Sequence, residues 1–177
     1  MTTQNSRVSP SDFQEISRTK ARYCRYVDTK QWSKIPSLFT TDARFEGFSF
    51  APKPIDLDFF MKNLAERMAG CTSVHRVVMP DMVPTSPDTA RVIWSMTDYN
   101  EWPNEIAFPG TDGAFGFRGY GYYEEDYVRS DDTWVISFTR LVRVRMDPIL
   151  KADTRGVSNC KAAPVFIHPG LHWLDNL

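Results

Sequence analysis

His75 is the only histidine that precedes the C-terminal tail, where His168 and His172 lie. An imidazole takes up and returns a proton near neutral pH, which makes His75 the first candidate for general acid–base chemistry. A strand histidine beside an apolar face also reads as a hydrogen-bonded core residue, and the side chain alone does not choose between the two. Asp28 closes the apolar run of the first helical segment, either as a carboxylate beside the core or as a solvated helix end. Asp98 and Asn100 share the parity of Ala90, Val92, Trp94 and Met96, so they point inward with apolar neighbours. They read as substrate ligands or a second proton-transfer group, unless Asn100 lies past the buried part of its strand. Tyr26 and Tyr123 can donate to a carbonyl or a departing oxygen, or simply pack. Trp94 and Trp102, with Phe48, Phe59, Phe60 and Met96, supply apolar walls.

Other polar clusters offer less. Arg140, Arg143 and Arg145 along the last strand read as a solvated or interface face, and Glu124, Glu125 and Asp126 as solvated carboxylates. The histidines, cysteines and carboxylates show no metal-ligand spacing. Gly116, Gly119 and Gly121 lack the helix that a phosphate loop requires. The expectation is no metal and no cofactor.

These residues need elements to position them. Ser9 can cap a helix with Pro10 in its first position, and Asp12 suits its positive end. Phe13, Ile16, Lys20, Tyr23 and Val27 follow at helical spacing, apolar except for Lys20. Trp32 to Phe39 predicts a short second helix with Pro36 in its first turn. The run 42–48 alternates as a strand. Asp56 or Asp58 caps a third helix carrying Phe60, Leu64 and Met68, which Gly70 ends. Strands follow at Val74–Met82, Thr89–Trp102, Gly119–Val128 and Trp134–Met146, with residues 103–118 predicted as a long loop. Helices followed by a run of strands predict an α+β fold: a cone-shaped, curved antiparallel sheet packed against three N-terminal helices and enclosing a pocket. The whole chain, 1–177, reads as one domain, with a core over about 10–146 and an irregular tail over 147–177.

Hydrophobic residues make up 42% of the chain and the formal net charge is -1, which speaks against a nucleic-acid partner. Cys24, Cys71 and Cys160 are widely spaced, as reduced thiols of a cytoplasmic protein would be. The first residues lack the basic flank and apolar run of a secretion signal, and no apolar stretch is long enough to span a membrane.

The run Tyr23-x-x-Tyr26-Val27-Asp28-Thr29-Lys30-Gln31-Trp32-x-x-Ile35-x-x-Leu38-Phe39-x-x-Asp42-Ala43 resembles the opening of SnoaL-like proteins. These belong to the nuclear-transport-factor-two-like superfamily, with scytalone dehydratase and bile-acid 7α-dehydratase among its members. Ser73-Val74-His75, Gly121-Tyr122-Tyr123-x-x-x-Tyr127 and Trp134-Val135-Ile136 extend the likeness over about residues 10–146. The resemblance implies that Asp28 orients His75, the general acid–base. It departs from scytalone dehydratase at Val27, Asn100 and Tyr123, where that enzyme has tyrosine, histidine and asparagine. The implied function is a cofactor-independent lyase acting on a hydrophobic, aromatic or polycyclic hydroxylated small molecule. Dehydration is the default, and retro-aldol loss of a small carbonyl such as formaldehyde is a variant. Isomerase or cyclase chemistry, or non-catalytic binding or assembly, are the alternatives. The partners expected are that substrate and further copies of the chain, as a dimer or trimer.

Overall fold

The structure is a computed structural model that describes residues 8–155. His168, His172, Cys160 and most of the predicted tail lie outside the described residues. Helix α1, Pro10–Asp28, starts as its sequence dictates: the Ser9 hydroxyl accepts the Asp12 amide N–H at 3.1 Å. Ile16, Tyr23 and Val27 are buried along its inner face, and so is Lys20. The predicted second helix is reduced to two 3-10 turns, Trp32–Lys34 and Pro36–Leu38, because Pro36 has no N–H to continue a helix. Strand β1 spans Phe39–Glu46, and Gly47 turns the chain out of it at a φ of +81°. Helix α2, Leu57–Arg67, is capped by Asp56, whose carboxylate accepts the Phe59 amide at 2.9 Å. Phe60 and Leu64 face inward, whereas Phe59, expected as a wall residue, is 48% exposed on the solvent side of the helix.

Four long strands follow: β2 (Thr72–Ser86), β3 (Thr89–Phe108), β4 (Thr111–Ser130) and β5 (Thr133–Leu150). They form an antiparallel meander, and β1 joins it parallel to β5, giving the order β1-β5-β4-β3-β2. The sheet is therefore mixed rather than wholly antiparallel. The predicted loop over 103–118 does not exist. β3 and β4 continue through it as a hairpin arm, and Gly110 (φ +71°) lies in the turn between them. The tail expected from Asp147 also begins later, since β5 runs to Leu150 and a 3-10 turn covers Lys151–Arg155.

The helices cover the concave face of this curved sheet. Phe60 of α2 stacks on Phe45 of β1 with ring centroids 3.9 Å apart and meets Phe48 edge-on at 5.1 Å. That aromatic cluster closes one side of the core and leaves a cavity between α1, α2 and strands β2 to β5. Among the described residues no helix is long and apolar enough to cross a membrane.

Candidate active site

The cavity holds about 620 Å³, a volume suited to a small organic ligand. Its polar end is assembled by strand register. His75 on β2 lies directly across from Asp98 on β3, and Ser73 across from Asn100, so all four side chains share the inward face. Asp28 arrives from the last turn of α1 and accepts three hydrogen bonds. One is from the Ser73 hydroxyl (2.9 Å), one from the His75 main-chain N–H (2.8 Å), and one from His75 Nδ1 (2.6 Å). With Asp28 ionised, the short contact to Nδ1 is a charge-assisted bond that keeps the proton on Nδ1. The lone pair then sits on Nε2, on the cavity side. Lys30, in a left-handed turn just past α1 (φ +59°), donates to Ser73 at 3.0 Å and extends the chain of donors behind the carboxylate. Burial pushes the Lys30 ammonium below its ordinary pKa, against the Asp28 carboxylate, which favours its charged form.

Asp98 does not compete for that imidazole. Its nearest oxygen is 3.9 Å from His75 Nε2, outside hydrogen-bond range, and Arg143 of β5 holds both its oxygens at 2.7 and 2.6 Å. The pair bridges across β4 because Gly119 lies beneath it. A Cβ there would stand 2.0 Å from Arg143 Nη1 and 2.2 Å from Asp98 Oδ1. Arg143 corrects the expectation of a solvated arginine face. It has the inward parity of Leu141, and a register shift between Tyr120 and Gly121 then turns Arg145 outward. Burial alone would lower the Arg143 pKa, but the bonds and charge of Asp98 raise it.

The remaining sequence candidates divide. Asn100, 2% exposed, and Tyr123, also 2% exposed, line the cavity, as does Trp102, whose indole N–H donates to the Arg67 carbonyl at 3.0 Å. Trp94 is buried outside the lining, and Tyr26 is buried on another side of α1, near the Arg25 and Lys34 cations. Tyr23, four residues before Val27 on the same helical face, takes the cavity position instead. Burial pushes the Tyr23 and Tyr123 phenols far above their ordinary pKa, so both keep their protons as donors. Burial likewise raises Cys24 to about 12 and Cys71 to about 11, which leaves neither as a thiolate nucleophile.

Beneath the cavity lies a polar cluster that the sequence reading missed. Glu125, expected in solvent, is 3% exposed and accepts from Lys20 (2.6 Å), Thr139 (3.1 Å) and Tyr127 (2.7 Å). The Lys20 ammonium stands 3.4 Å from the centre of the Tyr123 ring. Two opposite charges at inward positions, one on the α1 stripe and one on the tyrosine strand, were the available signal. Among the described residues no group of three or more histidines, cysteines and carboxylates is placed to hold a metal.

The SnoaL-like domain family matches residues 10–140. The chain belongs to that family. A protein of Gibberella zeae named "Probable cyclase FGR4" is 26% identical over 150 residues, covering 77% of this chain and 94% of its own. Among solved structures, a "Putative Scytalone Dehydratase" of Novosphingobium aromaticivorans superposes with a TM-score of 0.67 at 16% identity, covering 78% of this chain and 88% of that one. A hexachlorocyclohexane dehydrochlorinase, LinA type 2, gives 0.65 at 15% identity, covering 91% and 96%. At such identities the structural likenesses establish the fold, that of the nuclear-transport-factor-two-like superfamily, whose SnoaL-like branch has dehydratase-type and cyclase-type neighbours.

Proposed function

We propose that this protein is a cofactor-independent lyase that removes water from a hydrophobic, aromatic or polycyclic hydroxylated small molecule. The observation that carries the reading is the 2.6 Å contact of Asp28 with His75 Nδ1, which leaves Nε2 on the cavity side as a base. In this mechanism Nε2 takes a proton from a carbon next to a carbonyl. The C–H electron pair becomes the new double bond, and the carbon–oxygen bond at the neighbouring position breaks. The imidazolium, stabilised by Asp28, returns the proton to the departing oxygen, so that water leaves. Tyr23, Tyr123 or Asn100 donates to the carbonyl oxygen as it gains charge. Arg143 neutralises Asp98, so the imidazole is not drawn into a second carboxylate bond. Trp102 is a substrate-contact residue in this proposal, while Tyr26 and Trp94 act only by packing.

Cyclisation is the second reading, favoured by the name of the Gibberella zeae relative. The same proton abstraction then yields a carbanion that attacks a carbonyl within the molecule. Product mass separates the readings: loss of water for the lyase, loss of formaldehyde for its retro-aldol variant, no change for cyclase or isomerase. The test is a panel of hydroxylated bicyclic and polycyclic ketones incubated without added cofactor and read by mass spectrometry. The lyase reading expects loss of water with the wild type and none with His75→Gln. Conversion that persists in His75→Gln refutes it, and binding without conversion leaves a non-catalytic module. The proposal includes a cytoplasmic location, supported by the free, buried thiols of Cys24 and Cys71. It also includes a homo-oligomer, dimer or trimer, supported by Val78, Met79 and Val144 exposed on the outer face of the sheet and testable by light scattering.

A further inference from the structure

The cavity is graded from end to end. Tyr23, Tyr123, Asp98 and Asn100 at its polar end are all buried, while Arg67, Ala107 and Pro109 on its lining are exposed and form the rim. Apart from its tyrosines, four lining side chains are ionisable: His75, Asp98, Arg143 and Arg67. Asp98 and Arg143 cancel each other. Among the described residues no carboxylate forms an ion pair with Arg67.

Arg67 is nonetheless held in place. Its guanidinium carbon lies 5.2 Å from the centre of the Phe50 ring, itself a cavity residue. A guanidinium over an aromatic face keeps its N–H edge open, and that edge matches the two oxygens of a carboxylate. The Arg67 carbonyl is itself occupied by the Trp102 indole N–H. A cation at the rim of an apolar cavity, without a carboxylate partner among the described residues, favours a ligand with an anionic end.

We propose that the substrate is an amphipathic acid: a hydroxylated ring at the His75 end, an apolar body, and a carboxylate that leaves the cavity against Arg67. This rests on the reading of the cavity as a small-molecule site and names the class of molecule it takes. The test compares 2-naphthoate with its neutral isostere 2-naphthamide, by calorimetry and by quenching of tryptophan fluorescence. The wild type is expected to bind the acid about tenfold more tightly, the effect of one charge-assisted contact at a partly exposed site. Arg67→Gln is expected to abolish the preference and leave 2-naphthamide affinity within about twofold, while Arg67→Lys keeps part of it. In the wild type, 0.5 M sodium chloride is expected to shrink the preference through screening, a readout that needs no variant to fold. Equal affinities in the wild type, or a preference that survives Arg67→Gln, overturn the assignment while leaving the cavity reading intact. Failure of both probes to bind overturns the cavity reading as well.

Discussion

Replacing Asp28 by asparagine keeps the shape of the dyad but inverts part of its hydrogen-bond logic. Asp28 accepts at both oxygens: Oδ1 from His75 Nδ1 and Ser73, Oδ2 from the His75 main-chain N–H. An amide has one acceptor and one donor. If its oxygen stays with Nδ1, its NH2 faces the main-chain N–H of His75 and strands it, at about 1–3 kcal/mol. If it flips, its NH2 faces Nδ1, its oxygen accepts the His75 main-chain N–H, and only the Ser73 O–H, turned to accept alongside Lys30, loses its partner. The imidazole proton must then sit on Nε2, where no lone pair remains for substrate. With two stranded donors against one, a difference of about 1–3 kcal/mol favours the flipped form by about 5- to 150-fold. Losing the charge that stabilises the imidazolium removes about 1 kcal/mol more, the gap between a charged and a neutral hydrogen bond. Asp28→Asn is therefore expected to lower turnover by roughly 30- to 800-fold with a melting temperature within a few degrees of wild type. The ¹⁵N spectrum of His75 should change from the Nδ1–H to the Nε2–H tautomer. An unchanged tautomer with turnover within a few-fold of wild type refutes the role assigned to Asp28.

Ser73→Ala removes one of the three donors to Asp28 and the link to Lys30, and is expected to lower turnover about tenfold while leaving ligand affinity unchanged, as steady-state kinetics and calorimetry would show. Lys20→Met strands the Glu125 carboxylate in the core and is expected to destabilise the fold by about 3–5 kcal/mol in urea unfolding, with much of the loss recovered in Lys20→Met/Glu125→Gln. Burial works to raise the Asp12 pKa, but hydrogen bonds from Trp134, Ser9 and Arg129 and the Arg129 charge lower it overall. A depressed carboxylate pKa contributes stability that is present above the unfolded value, near 3.8, and is lost as pH falls through the folded value. Melting temperatures should therefore drop below about pH 4 in the wild type, and Asp12→Asn should remove this part of the drop while lowering stability at pH 7.

The sequence was informative wherever a simple period held. Helical spacing located α1 and the inner face of α2, and strand alternation turned Asp98 and Asn100 inward. The resemblance supplied the pairing of Asp28 with His75, which the structure brings to 2.6 Å. The failures lie where the period breaks or where charge outweighed parity. Arg143 was hidden because a register shift in β5 separates it from Arg145. Glu125 was assigned to solvent on its charge alone, although it has the parity of Tyr123 and Tyr127. Tyr26 was chosen as the neighbour of Val27, where scytalone dehydratase has a tyrosine, but one residue turns a helix by about 100°. Glycine and proline suggested a loop over 103–118, where they make one hairpin turn and let neighbouring strands approach. Gly119 shows the same ambiguity: it reads as a weak strand residue, yet it leaves the space that the Asp98–Arg143 pair fills.

In the proposed mechanism His75, held by Asp28, first takes a proton from carbon inside this cavity. Hydrogen–deuterium exchange at the acidic carbon of 2-tetralone, followed by NMR in deuterium oxide, tests that step without knowledge of the natural substrate. Exchange at least about 10²-fold above buffer is expected with the wild type, none above buffer with His75→Gln, and a strongly reduced rate with Asp28→Asn. Exchange at the buffer rate while 2-tetralone occupies the cavity, or exchange that survives His75→Gln, rules out His75 as that base.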